Sequence, residues 1–244
     1  MYEIAPLLDD PLHNLKTIRD IYRWAITEME TAEISFGHGC NDSFEESSFL
    51  ICRALKLPFE HFDEFLDAAL THNELLRLVN LIDRRVHEKT PSAYLLKEAW
   101  LTNHQFYIDE RALIPRSYIA ELLEEDLAPW VEDPYEVGSV LDLCTGSGCL
   151  AILAQGAFPN AAVTGSDISA DALEVAKINR HDYGMDDTLE LVQGDLFSAL
   201  EGRSFDIILS NPPYVTTASM EALPTEYRHE PSLALAAGAD GMDV

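Results

Sequence analysis

An apolar run that stops at a glycine turn and restarts as an apolar helix constrains this chain most. Val140-Leu141-Asp142-Leu143 reads as a short buried strand. The turn Cys144-Thr145-Gly146-Ser147-Gly148 follows, and Cys149 to Phe158 reads as a helix ended by Pro159-Asn160. A chain that leaves a strand this way is directed onto one face of a sheet and must return to add a parallel strand. The pattern repeats. Ala162 to Ser166 reads as a second strand, Ala170 to Tyr183 as a second helix, Leu189 to Val192 as a third strand and Phe205 to Leu209 as a fourth. The expected fold class is α/β, with a doubly wound parallel sheet of Rossmann type.

The spacing Gly146-x-Gly148-x-x-Ala151 is that of a nucleotide-binding turn. Glycines there permit a tight turn and let a ligand approach the backbone. Asp142, Cys144, Thr145, Gly146, Ser147 and Gly148 are the candidate residues of this loop. Asp167, ending the second strand, stands where a carboxylate accepts hydrogen bonds from ribose hydroxyls; the alternative is an N-cap for the next helix. Asp195 ends the third strand and could accept adenine amino hydrogens, with Leu196 and Phe197 flanking the ring; a turn aspartate is the alternative. A dinucleotide and S-adenosylmethionine both fit these features.

The fourth strand ends in Asn211-Pro212-Pro213-Tyr214. Two prolines stop the strand and supply no backbone N–H. What remains is a rigid turn with a side-chain amide, bare carbonyls and an aromatic ring, able to grip a planar group that carries NH2.

Before Ser139 the chain is organised differently. Leu15, Ile18, Tyr22, Ala25 and Met29 step by three and four. Ser43 with Glu46, and Thr71 with Glu74, have capping-box spacing. Residues 1–88 therefore read as a helical domain, 89–117 as a β-hairpin linker and 118–244 as the α/β domain. Tyr118 to Trp130 reads as a helix. Glu230 and Pro231 read as a solvated loop, with the lining of a substrate cleft as the alternative; Arg116 reads as facing the cofactor mouth or pairing with a carboxylate.

Sixteen basic residues against 43 acidic ones give a net charge of −27. Phosphate backbones are usually held by Lys and Arg, so direct nucleic-acid binding is not expected. A basic protein would be attracted; solubility or adaptation to salt is the alternative reading of this charge. Cys40, Cys52, Cys144 and Cys149 lack CxxC or Cys/His metal spacing, and the histidines form no metal triad, so no metal is expected. No apolar run spans a membrane, and Met1 to Pro6 lacks the basic and apolar regions of a signal peptide, so the expected location is cytoplasmic.

Residues 142–151 and 211–214 resemble the HemK-like protein-glutamine methyltransferases, as does the order helical domain, hairpin, catalytic domain. Within that family Arg111 to Ser117, Phe36-Gly37-His38-Gly39 and Leu223 to Pro231 resemble the branch that acts on ribosomal protein L-three of the large subunit. Arg-Pro is usual at the linker in the release-factor branch, and glycine is common there where this chain has Cys144. The resemblance implies S-adenosyl-L-methionine as methyl donor, a glutamine amide of a basic protein as acceptor, Asn211, Pro212, Pro213 and Tyr214 as the catalytic turn, and residues 1–88 as the substrate-recognition domain. Release-factor methylation and adenine-amino methylation of DNA or RNA stand as alternatives. The resembling fold has seven strands, of which four can be placed here. The expectation is a domain short of its last strands, with an exposed apolar edge and weak activity.

Overall fold

The computed structural model describes residues 9–244. Met1 to Pro6, where a signal peptide would begin, lies outside the described residues. The chain divides into two compact units, Met1–Leu96 and Lys97–Val244.

The first unit is helical: α1 (Asp9–Asn14), α2 (Ile18–Thr31), α3 (Ser43–Leu55), α4 (Phe62–Phe65), α5 (His72–Asp83) and α6 (Ser92–Leu96). Helix α2 starts at a capping box, in which Thr17 Oγ1 accepts the Asp20 N–H and Asp20 accepts the Thr17 N–H. Thr71 and Glu74 do the same for α5, as their spacing predicts. The expected box at Ser43 and Glu46 does not form. Asp42, one residue earlier, is the extended N-cap and accepts the Glu45 N–H at 2.8 Å. Ser43 lies inside the helix, and Glu46 turns inward to a buried guanidinium. Arg85 Nε and Nη2 donate to its two oxygens at 2.6 and 3.1 Å, and the Ser92 hydroxyl donates to it as well. Ile18, Ile21, Ala25, Met29, Leu50, Ile51, Leu78, Val79 and Ile82 form the apolar core of this unit. Each large side chain of this kind contributes roughly 1.5–3 kcal/mol on burial.

The second unit opens with an antiparallel hairpin, β1 (Ala99–Leu101) and β2 (His104–Phe106). Helix α7 (Ile119–Glu124) is shorter than its sequence suggests. The chain turns at Asp126 and Leu127, both in the left-handed region, and the Leu127 N–H bonds back to the Leu122 carbonyl. Pro129 follows, which cannot donate and restricts the residue before it.

The sheet then assembles from β3 (Ser139–Leu143), β4 (Ala162–Asp167), β5 (Leu189–Gln193) and β6 (Ile207–Ser210). Helices α8 (Cys149–Ala157) and α9 (Ala170–Asp182) connect them, and α10 (Thr217–Ala222) follows β6. Among the described residues the strand order is β5-β4-β3-β6, all parallel. This is the α/β doubly wound architecture expected. Val140, Leu141, Val163, Leu189 and Leu209 are buried strand residues, and Ala151, Ile152 and Ala154 of α8 cover the sheet. β6 is an edge strand, and Ile208 is half exposed on it. No helix among the described residues is long and apolar enough to cross a membrane.

Candidate active site

The register of the sheet assembles the site. Leu143 is paired with Ser166 on one side and Ser210 on the other. Cys144, Asp167 and Asn211, the next residues along three parallel strands, therefore stand at one level at the carboxyl ends of β3, β4 and β6. The carboxyl edge of an open α/β sheet is where ligands bind. Ser210 strengthens the alignment, its hydroxyl donating to the Leu143 carbonyl at 3.0 Å.

A cavity of about 210 Å³ opens there. Cys144, Thr145, Gly146, Ser147, Asp167, Asp195, Leu196, Asn211 and Pro213 line it, bringing together most of the residues singled out from sequence. Further wall comes from Arg111 to Ser117 and from Pro231 to Ala236. Four candidates, Asp142, Gly148, Pro212 and Tyr214, are not on the wall. Asp142 and Gly148 support the loop instead, and Tyr214 is 67% exposed. Phe197 is also exposed and off the wall.

Asp142 is a backing residue rather than a contact. It is fully buried, and its Oδ2 accepts the Thr145 hydroxyl at 2.5 Å and the Ala151 N–H at 3.0 Å. It thereby ties the first turn of the loop to the first turn of α8. Burial pushes its carboxyl up to about 7, against the two hydrogen bonds, and the nearby Asp167 charge adds to the rise. Gly148 is needed for contact, since a Cβ there would meet Ala176 Cβ at 3.1 Å and Cα at 3.3 Å. Gly146, with φ of +56°, differs: a Cβ would meet nothing within 4 Å. The space it leaves is cavity, a cradle into which a ligand can come close to the backbone.

Asp167 stands on the wall with both oxygens already engaged. Oδ2 accepts the Gly146 N–H at 2.8 Å and Oδ1 accepts the Ser169 N–H at 2.9 Å. The helix cap is Ser169, whose hydroxyl accepts the Ala172 N–H, so the N-cap alternative for Asp167 does not hold. A carboxylate has about four lone-pair sites, which leaves acceptor capacity toward the cavity. Asp195 begins a turn closed by the Ser198 N–H on its carbonyl at 3.0 Å. Cys144 and Leu196 both sit in the left-handed region, with φ of 62° and 48°. Strain of this kind collects at ligand clamps. Burial pushes the Cys144 thiol up to about 11 and the Cys149 thiol up to about 12, so neither is a nucleophile near neutral pH.

Several contributors carry no signature in the sequence. Asn179 of α9 is buried and grips two distant segments. Its Oδ1 accepts the Tyr107 N–H at 2.7 Å, and its Nδ2 donates to the Tyr107 and Ser147 carbonyls at 3.0 and 2.8 Å. Arg111 on the wall donates to Asp109, which also accepts the Tyr107 hydroxyl at 2.8 Å. The Arg111 guanidinium holds the Asp109 carboxyl down at about 2. Gly165 of β4 leaves room for Thr145, whose Oγ1 would lie 2.9 Å from a Cβ there. Glu230 is not in a solvated loop: its side chain is fully buried and paired with Arg116. Asn179, Glu230 and Gly165 are each defined by a partner far away in sequence or by the packing around it, whereas Arg111 and Asp109 pair across only two residues. Among the described residues no cluster of His, Cys, Asp or Glu could hold a metal ion.

The family profile described as "Methyltransferase small domain" matches residues 121–226, which hold the whole sheet and the Asn211 turn. The chain is 52% identical over 236 residues to the ribosomal protein uL3 glutamine methyltransferase of Burkholderia pseudomallei (strain K96243), covering 94% of this chain and 77% of that protein. It is 54% identical over 230 residues to the protein of the same name from Bordetella pertussis (strain Tohama I), with the same coverage. The protein of that name from Neisseria meningitidis serogroup A is 46% identical over 238 residues, or 98% of this chain and 78% of that protein. With this identity along nearly its whole length, and with the glycine loop and the Asn-Pro-Pro-Tyr turn meeting at one cavity, the chain belongs to the ribosomal protein uL3 glutamine methyltransferase family.

Proposed function

We propose that this protein transfers a methyl group from S-adenosyl-L-methionine to the side-chain amide nitrogen of a glutamine in ribosomal protein uL3. The observation that carries the reading is the register that places Asn211 beside the glycine loop on one cavity. The loop fits the donor on its own geometry, because Gly146 leaves an open cradle and Asp167 retains acceptor capacity beside it. Asp167 would hold ribose hydroxyls, while Asp195 and Leu196 would hold the base. Thr145, Ser147 and Cys144 complete the wall.

When bound, the donor supplies an electrophilic methyl on a sulfonium. An amide nitrogen is a poor nucleophile, since its lone pair is delocalised into the carbonyl. The Asn211 Oδ1 and the Pro212 carbonyl would accept the two amide hydrogens and fix the plane of the amide. Pro213 holds the turn rigid, with no backbone N–H to compete. Tyr214, exposed beside the turn, packs on the amide plane once a side chain enters. Orientation and electrostatics supply the acceleration, with no covalent intermediate. No residue need take the proton beforehand, because the methylated amide nitrogen is acidic and releases it afterwards. The net charge of −27 favours encounter with a basic protein.

The test is methyl transfer from radiolabelled donor to purified uL3, release factor and DNA in parallel. Label on a uL3 glutamine is expected, reduced by about 10²-fold or more in Asn211→Ala. Label on release factor instead would move the substrate. Label on DNA would overturn the amide reading.

A further inference from the structure

One wall of the cavity comes from two lengths of chain, one holding Leu113, Pro115 and Arg116 and the other Pro231, Leu233 and Ala236, that belong neither to the glycine loop nor to the Asn211 turn. A buried ion pair joins them. Arg116 Nη1 and Nη2 donate to Glu230 Oε1 and Oε2, each at 2.8 Å. The Ile114 N–H donates to the same carboxylate at 3.1 Å. The Glu230 side chain is 0% exposed and that of Arg116 27%. The guanidinium also lies over the Tyr227 ring, 5.4 Å from its centroid. Burial opposes the charge on Arg116, yet Glu230 outweighs it and the net shift is upward, with smaller contributions from Tyr227 and Tyr214. Tyr214 is thus within electrostatic reach of the pair.

The second length of chain is bonded directly to the turn. The Leu235 carbonyl accepts the Val215 N–H at 2.8 Å, and the Val215 carbonyl accepts the Ala237 N–H at 2.9 Å. A continuous path therefore runs from Arg116 through Glu230 and Leu235 to Val215, one residue past Tyr214. Buried ion pairs add little net stability over apolar packing. A bidentate pair, however, fixes orientation as well as distance.

We propose that Arg116 and Glu230 form a positioning pair: they hold residues 230–237, and through Val215 the Asn211 turn, in the geometry that aims the acceptor amide, leaving donor binding to the glycine loop. The kinetic half of this proposal rests on the amide-methylation reading; the structural half does not.

The test compares Glu230→Gln, Glu230→Asp and Arg116→Lys with the unaltered chain in three measurements. These are amide hydrogen exchange, calorimetric binding of S-adenosylhomocysteine, and kcat and KM for transfer to uL3. Glu230→Gln should speed exchange at Val215 and Ala237 while leaving the β3 and β4 amides unchanged. It should lower kcat by about 10- to 100-fold, as expected for a small displacement of a reacting group. Affinity for S-adenosylhomocysteine should change by less than about threefold, since the lost contact serves only the acceptor side. Glu230→Asp, which keeps the charge, should recover part of the rate. Arg116→Lys, which loses the fork, should resemble Glu230→Gln. Unchanged exchange at Val215 and Ala237 in a folded variant overturns the proposal, as does a loss of donor affinity parallel to the loss of kcat. If Glu230→Gln fails to fold, the double variant Arg116→Met with Glu230→Met, apolar on both sides, takes its place: the same three measurements apply, and the same results support or overturn the proposal. Absence of transfer by the unaltered chain counts against the substrate reading, and exchange at Val215 and Ala237 then decides the positioning claim alone.

Discussion

Replacing Asn179 by alanine tests whether α9 supports the glycine loop. Asn179 is 1% exposed and makes three hydrogen bonds, to the Tyr107 N–H, the Tyr107 carbonyl and the Ser147 carbonyl. Each is worth roughly 0.5–1.5 kcal/mol net, and a buried group left without a partner costs at least as much. Three together place the destabilisation of the second unit at about 3 kcal/mol. With an m-value of about 2 kcal/mol/M, the urea midpoint should fall by about 1.5 M. Trp24 lies in the first unit, Trp100 and Trp130 in the second. Fluorescence in a Trp24→Phe background therefore reports on the second unit. Donor affinity should fall together with stability, because the Ser147 carbonyl is freed. Asn179→Asp should be damaged too, since it retains the acceptor for Tyr107 but sets an oxygen against two carbonyls. A midpoint shift below about 0.5 M for Asn179→Ala, with binding unchanged, would show that these bonds do not hold the loop.

Two further outcomes follow from buried charge. Asp142 has a folded-state pKa near 7 against an ordinary 3.8, so the folded state holds its proton more tightly. That contribution is fully present below about pH 4, is lost as the pH rises, and is gone above about pH 7, a span of up to ~4 kcal/mol. Asp142→Asn keeps an oxygen for Thr145 and Ala151 but cannot ionise, so its stability should fall less over that range. Parallel stability–pH curves for the two proteins would refute the assignment. In the first unit, Glu46→Ala strands the Arg85 charge, which is 1% exposed, and should cost about 3–5 kcal/mol. Denaturation followed at Trp24 should show that Glu46→Met with Arg85→Met costs less than that single change; the reverse order would mean the pair itself supplies the stability.

Features whose cause is local are legible in the sequence. Buried parallel strands read as continuous apolar runs, and β3 to β6 stand within two residues of where those runs lie. The Asn211 turn is legible because two adjacent prolines leave a strand few alternatives. What stays hidden is defined by distant partners. Glu230 meets Arg116 across 114 residues, Arg85 meets Glu46 across 39, and Asn179 meets Tyr107 across 72. A polar residue looks solvated until the chain folded against it is known. Glu46 misleads at short range: its spacing from Ser43 suits a cap, but a buried guanidinium claims it. Asp142 shows another limit, since a loop motif names its members without saying which face the ligand and which support the loop from behind. The helix expected from Tyr118 to Trp130 overruns α7 because the glutamate-rich run favours helix, while the turn at Asp126 and Leu127 depends on single left-handed residues.

The bonds that meet at the glycine loop have a consequence for how fast a ligand can bind. The Gly146 N–H, the Thr145 hydroxyl, the Ser147 carbonyl and the Ala151 N–H are all held by protein partners. Fixing a backbone residue costs about 1–2 kcal/mol of conformational entropy, so ordering residues 145–148 afresh at each encounter would cost about 4–8 kcal/mol. Here folding has already met that cost. Binding can therefore proceed in one step whose rate grows linearly with ligand concentration, without a plateau set by loop rearrangement. The same frame remains when the spent ligand leaves, so the site is ready for the next turnover.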